Sequence, residues 1–209
     1  MTEDAAAKAA SLWDQRYGSP EFLFGTAPND YLASQGHLLR PGMRALAVAD
    51  GEGRNSVWLA RQGLSVDAFD VSSVAVGKAR RLAGDAQVAV DFHIADCDAW
   101  RWKPASYDVV AAIFVQFADP PMRARLFANI ISTLKPGGIL ILQGYTPRQL
   151  DYKTGGPGVL ENLYTEEILR VELGSLDIVE LLNYEANLAE GTQHAGRSAL
   201  IGLVGRKAL

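Results

Sequence analysis

The sequence is poor in cysteine, in excess positive charge and in long apolar runs, and each shortage removes a class of function. One cysteine, Cys97, among 209 residues excludes an intrachain disulfide framework and fits a reducing compartment. There is no C-x-x-C and no H-x-x-x-H, so the usual zinc spacings are missing and no metal site is expected. G-x-S-x-G is absent too, which removes the common serine-nucleophile elbow. A formal net charge of −4 leaves no basic footprint for nucleic acid, and Arg80-Arg81 reads as a solvated helix face. No apolar run nears the roughly 20 residues of a membrane span. The alanine-rich start (Met1 to Ala10) is broken by Glu3, Asp4 and Lys8, so it lacks a signal-peptide core. The reading is a cytoplasmic protein with neither nucleic acid nor membrane as partner. With 48% hydrophobic and 21% charged residues, the chain suits one domain with a substantial core.

What is present centres on Leu46-Ala47-Val48-Ala49-Asp50-Gly51-Glu52-Gly53-Arg54-Asn55. An apolar run without alternation predicts a strand buried on both faces. It breaks at Gly51 and Gly53, where the backbone can turn sharply and approach a ligand. Asn55 can open a helix whose free N–H groups face the same loop. A second apolar run, Val66 to Phe69, ends at Asp70, followed by Val71. A carboxylate there can accept hydrogen bonds from both ribose hydroxyls of an adenosine; the plainer role is a helix cap. The dinucleotide fingerprint G-x-G-x-x-G is not met, since Ala49-x-Gly51-x-Gly53 lacks the third glycine at its spacing. S-adenosylmethionine has a ribose and no phosphates, so it needs the loop and the acid alone.

Strands and helices then alternate, which predicts a parallel α/β sheet. Ser72 or Ser73 caps a helix to about Ala83, with Gly84 as its left-handed stop. Val88 to Ile94, Tyr107 to Val115 and Ile139 to Leu142 read as strands. A helix opens at Pro120-Pro121 and is terminated by Lys135-Pro136-Gly137-Gly138. Tyr145 to Leu163 reads as a long loop over one end of the sheet, and Thr165 to Leu173 as a further helix. Leu176 to Leu188 and Ser198 to Lys207 are strand-like runs joined by Ala189 to Arg197. That joint has no room for a crossover helix, so they pair antiparallel.

Several ordered motifs carry a family resemblance across nearly the whole chain. They are Trp13-x-x-Arg16-Tyr17, Phe24-Gly25-x-x-Pro28-Asn29, Gly51-Glu52-Gly53-Arg54-Asn55, Leu134-Lys135-Pro136-Gly137-Gly138 and Glu190-Gly191-x-x-His194-x-Gly196. Together they resemble the S-adenosylmethionine-dependent methyltransferases, closest to the tellurite-resistance and thiopurine methyltransferase-like group. The resemblance implies a Rossmann-like, mostly parallel seven-stranded sheet with helices on both faces and an antiparallel C-terminal hairpin. It divides the single domain, 1–209, into an N-terminal cap over 1–40 and a core over 41–209. It also implies that Asp96, after the third strand, accepts from the adenine amino group, with Ala95 and Cys97 against the ring; an Asp there is also ordinary turn chemistry. Trp13, Arg16 and Tyr17 would fold over the donor, Arg16 pairing with its methionine carboxylate, or would only seat the N-terminal helix. The chain departs from the general pattern at Ala47 and Ala49, and alanine for glycine at 49 is tolerable if φ there is negative. Asp50 adds a carboxylate facing the donor's ammonium.

The expected activity is methyl transfer from S-adenosylmethionine to a small-molecule acceptor, among them soft sulfur, selenium or tellurium nucleophiles. The alternative is a non-catalytic S-adenosylmethionine-binding protein. Phe114, Gln116 and Phe117 follow the fourth strand; Tyr145 and Gln149 follow the fifth and would line the acceptor pocket. Gln116, Tyr145 and His194 are the catalytic candidates, with His194 either a base or a hydrogen-bonded loop residue. His37 and His93 are expected to be structural.

Overall fold

The computed structural model describes residues 3–209, with Met1 and Thr2 of the expected cap lying outside the described residues. The strands are β1 (Arg44–Val48), β2 (Ser65–Asp70), β3 (Asp91–Ile94), β4 (Tyr107–Ile113), β5 (Leu134–Tyr145), β6 (Leu176–Glu190) and β7 (His194–Lys207). They form one 7-stranded sheet in the order β3-β2-β1-β4-β5-β7-β6. β1 to β5 run parallel, and β7 lies antiparallel between β5 and β6. The helices are α1 (Glu3–Arg16), α2 (Asp30–Ser34), α3 (Arg54–Arg61), α4 (Ser73–Asp85), α5 (Pro120–Thr133), α6 (Gln149–Tyr152) and α7 (Glu166–Glu172). Among the described residues no helix is long and apolar enough to cross a membrane.

Successive side chains of a strand point to opposite faces, and here both faces are covered. Leu46, Val110 and Leu140 pack with Leu126, Phe127 and Ile130 of α5. Ala45, Val109 and Ile139 pack the other way, against Leu32 and Leu59, while Ala47 and Ala68 meet Val57 of α3 and Val76 and Ala79 of α4. Two buried faces explain why these strands read as unbroken apolar runs. The small residues let α3 and α4 come close: a Cβ on Gly53 would lie 2.7 Å from Ala79 Cβ.

Several expected boundaries move. Gly84 does not end α4 in a left-handed conformation; Gln87 does, at φ 54. Val88 N–H donates to Ala83 O at 3.1 Å and Gln87 N–H to Gly84 O at 3.0 Å, a helix stop built three residues later than the glycine suggests. Only Asp91–Ile94 of the third strand pairs, since Val88 and Val90 pack on the core without a ladder partner. α5 stops at Thr133, and Lys135-Pro136-Gly137-Gly138 falls inside β5, as an irregularity in its pairing with β4. The long loop contains α6 and a 3-10 turn, Leu160–Asn162. The C-terminal strands outrun expectation, pairing out to Glu190 opposite His194.

β1 leads into Ala49 with φ 48, so the condition under which alanine replaces glycine without strain is not met. The loop needs a left-handed residue there, which costs an L-residue with a Cβ roughly 1–2 kcal/mol. Ala49→Gly should therefore add about 0.5–1 kcal/mol of stability once glycine's extra unfolded-state entropy is deducted, read as a higher urea midpoint at an unchanged m-value. An unchanged or lower midpoint would show that the methyl group's packing outweighs the strain.

Candidate active site

The C-terminal ends of β1, β2 and β4 open on a cavity of about 530 Å³. Such an edge is where open α/β sheets hold ligands. Most of the expected site residues line it: Trp13 and Arg16 of α1, the loop residues Ala49, Asp50 and Gly51, Asn55 of α3, and Asp70 with Val71. Asp96, Cys97, Phe114, Gln116, Tyr145 and His194 line it as well. Gly53 does not; its φ of 90 starts α3, and its missing side chain makes room for Ala79. Gln149 also stays out, bonding Thr154, the Gly155 carbonyl and the Ala199 N–H.

The acids divide their work. Asp70 accepts Gly51 N–H at 2.9 Å on one carboxylate oxygen and Ser72 N–H at 2.8 Å on the other. A carboxylate has about four lone-pair sites, so these bonds leave it capacity for a ligand, and desolvation moves the carboxyl upward against the backbone bonds. Asp50 spends both oxygens on Ser56, N–H and hydroxyl. Its burial, partly offset by Ser56 and reinforced by Asp70, pushes the carboxyl up to about 7. Asp96 gives Oδ1 to Asp98 N–H and Ala99 N–H at 2.7 and 2.9 Å, so it does perform turn chemistry while lining the cavity. Burial pushes the Cys97 thiol up, leaving it protonated and unreactive.

The catalytic candidates separate likewise. Gln116 is fully engaged: its amide donates to Tyr145 O and Asn162 O and accepts Tyr145 N–H. Tyr145 Oη is buried without a hydrogen-bond partner. Its ring stacks on Phe114, centroids 4.7 Å apart, and His194 lies edge-on to both. Phe24 closes the cluster at 4.5 Å from His194. Phe114, like Ala49, holds a positive φ, 56, the kind of strain that gathers at ligand sites. His194 Nδ1 lies 3.6 Å from Glu190 Oε2, ion-pair range but too long for a hydrogen bond. Burial and the nearby Arg54 outweigh Glu190 and keep the imidazole below its ordinary pKa, hence neutral.

Three of the resemblance motifs meet around Glu190. Arg54 Nη2 donates to Glu190 Oε2 at 2.7 Å, and Asn29 Nδ2 to Oε1 at 2.8 Å. Asn29 N–H donates to Asn55 Oδ1 at 3.0 Å. Against burial, which would raise it, the Arg54 guanidinium bonded to it holds the Glu190 carboxyl down at about 2. A second buried pair, Lys78 Nζ to Glu52 Oε1 at 2.7 Å, leaves Glu52 Oε2 to accept Leu23 N–H at 2.7 Å. Thr192 N–H donates to Leu23 O at 3.0 Å. Phe24, Arg54 and Asn29 were missed as site residues, although the Phe24-Gly25-x-x-Pro28-Asn29 and Gly-Arg-Asn motifs carried the signal. α1 is seated by Asp14, which accepts Val74 N–H at 3.2 Å and the Ser72 hydroxyl. Trp13 and Tyr17 stack at 5.5 Å, and Arg16 lies exposed with its guanidinium 4.4 Å from the Trp13 centroid.

One grouping of potential metal ligands among the described residues, Asp67, Asp91 and His93, lies outside the cavity. Its Asp67 already binds Arg44 and Tyr107, each at 2.7 Å. The cavity itself offers a carboxylate with spare lone pairs, a bare loop backbone at Gly51 and apolar walls at Val71 and Ala95. That set fits a nucleoside without phosphates.

A methyltransferase domain family matches residues 45–138. A demethylmenaquinone methyltransferase of Renibacterium salmoninarum is 33% identical over 133 residues, covering 62% of this chain and 50% of the relative. The chain spans about half the length of the curated relatives it matches. The structure of a protein described by the conversion of a disulfide bond into a thioacetal group during echinomycin biosynthesis superposes with TM-score 0.78 at 14% identity, covering 95% of this chain and 91% of that one. TehB from Haemophilus influenzae superposes with TM-score 0.68 at 12% identity, over 95% of this chain and 66% of that one. Residues 45–138 thus match a methyltransferase domain family, and the chain shares its Rossmann-like fold with solved S-adenosylmethionine-dependent methyltransferases.

Proposed function

We propose that this chain transfers the methyl group of S-adenosylmethionine to a small-molecule acceptor, as a single domain working in the cytoplasm and not on nucleic acid. One observation carries the reading. The glycine loop and Asp70 open on the same cavity as an aromatic pocket, beneath a seated N-terminal helix. When bound, the donor supplies a methyl group already activated by sulfonium charge. The chain's residues then have to bind, align and exclude water. Asp70 accepts from the ribose hydroxyls and Asp96 from the adenine edge, with Val71 and Cys97 against the ring. Phe24, Phe114, Tyr145 and His194 wall the acceptor end, and Tyr145 Oη and His194 Nδ1, both buried without a partner, are the groups free to hydrogen-bond an acceptor. Aromatic walls with no free carboxylate among them suit a soft, polarisable attacking atom such as sulfur, selenium or tellurium. The thioacetal-forming neighbour, described as acting at a disulfide, supports sulfur among these.

Two measurements test the reading. Asp70→Asn should weaken S-adenosylhomocysteine binding by about one to two decades, the roughly 1.5–3 kcal/mol of charge-assisted hydrogen bonds. Calorimetry showing tight NAD binding and no S-adenosylhomocysteine binding would overturn the donor assignment. For the acceptor, His194→Ala should slow single-turnover methyl transfer by less than the roughly 10²–10⁴-fold of a lost general base. A thousand-fold loss, with the wild-type rate rising through an imidazole-like pKa, replaces the soft acceptor with a protic oxygen or nitrogen one.

A further inference from the structure

The acceptor end of the cavity is closed off by a single thickness of chain, Thr154 to Gly158, and only glycine meets Tyr145 there. A Cβ on Gly155 would lie 2.8 Å from Tyr145 Oη, and one on Gly156 would lie 2.7 Å from Tyr145 Cδ2. Their φ angles, 149 and 82, would strain a side chain as well as crowd it. Gly156 is exposed, whereas Tyr145 behind it is 1% exposed. The cover is lightly held. Among the described residues the amides of 154–158 have no backbone partner, and the segment hangs from two side chains. Gln149 Nε2 donates to Thr154 Oγ1 at 3.0 Å and to the Gly155 carbonyl at 3.1 Å. Thr154 Oγ1 donates in turn to the Arg197 carbonyl at 2.6 Å. Gln149 is buried and tied to β7 through Oε1, which accepts Ala199 N–H at 2.9 Å.

Resting on the acceptor reading above, we infer that this segment is a door to the acceptor pocket and that Gln149 is the positioning residue that latches it. Tyr145 Oη is enclosed and has no hydrogen-bond partner, an arrangement that costs free energy until something pairs with it. Gly155 lies directly against that oxygen, so lifting the segment uncovers it for an acceptor. The segment is built to lift: it follows a left-handed turn at Lys153, φ 56, and chain with few backbone hydrogen bonds opens locally at small cost. Latched, the door keeps water from a soft attacking atom, whose solvation would blunt it, and holds the Tyr145 ring in place. Gln149 acts through the door alone, since it lines no part of the cavity.

Trypsin cutting after Lys153 reads the open population directly. In Gln149→Met that cleavage should quicken roughly tenfold, the worth of two lost hydrogen bonds. Cleavage elsewhere and affinity for S-adenosylhomocysteine should stay as in the wild type. Thr154→Val removes the same latch from a partly exposed position and repeats the measurement if Gln149→Met fails to fold; Thr154→Ser, which keeps the hydroxyl, should cleave like the wild type. With hydrosulfide or thiophenol as acceptor and saturating S-adenosylmethionine, the unlatched variants should lose kcat several-fold, and Thr154→Ser should retain it. Cleavage at Lys153 that is unchanged in the variants, or that rises along with every other site, overturns the door. A kcat indifferent to an unlatched door overturns the positioning role of Gln149. A wild type that binds S-adenosylhomocysteine yet methylates neither thiol overturns the soft-acceptor reading, and the cleavage result still decides the door.

Discussion

The Glu190 carboxylate is the constraint on which the site depends. It sits in the last pair of the β6–β7 ladder, yet it is held by Arg54 at the start of α3 and Asn29 from the N-terminal segment. Three stretches far apart in sequence are thereby fixed to one another beside the cavity. Removing one partner of such a buried pair typically costs about 3–5 kcal/mol, because the other charge is left stranded in low dielectric. An apolar replacement of the whole pair would often be neutral for stability, so persistence of ions here points to positioning as their role.

The sheet supplies the rest of the geometry. With both faces buried under helices, the exposed backbone of the parallel strands is confined to their ends, and β1, β2 and β4 all end at the cavity. The two strained residues, Ala49 and Phe114, stand where β1 and β4 give way to loop. Their backbone conformations turn the chain aside from the strand direction and open the space that a ligand fills. The second buried pair, Lys78 with Glu52, presents a carboxylate oxygen to the Leu23 amide and so closes the N-terminal segment over that space.

The fold was largely legible because burial on two faces leaves a strong imprint: unbroken apolar runs for the parallel strands, and a missing crossover helix for the hairpin. Asp70 and the glycine loop were legible because their chemistry is local. What escaped depends on contacts distant in sequence. Nothing near Gly53 in the chain says that its hydrogen faces Ala79, and nothing near Gln116 or Gln149 says that backbone groups consume their amides. The hairpin strands were read as too short because Glu190 and His194 look like loop residues until Arg54, Asn29 and the aromatic cluster are seen around them. Arg54 itself was hidden inside a motif whose glycines drew the attention.

The turn between β6 and β7 has a consequence for anyone engineering this protein. Hairpin tips are ordinarily the places where peptide tags, reporter domains or new termini are accepted. Here the exposed tip is also a joint with the N-terminal segment: a Cβ on Gly191 would lie 2.3 Å from Leu23 O, and Thr192 N–H is bonded to that same carbonyl. Side chains alternate between faces along a strand, so an insertion that slipped the ladder by one residue would turn Glu190 away from Arg54 and Asn29. The connection is thus a ruler whose length is set by the site, and grafts belong elsewhere on the surface.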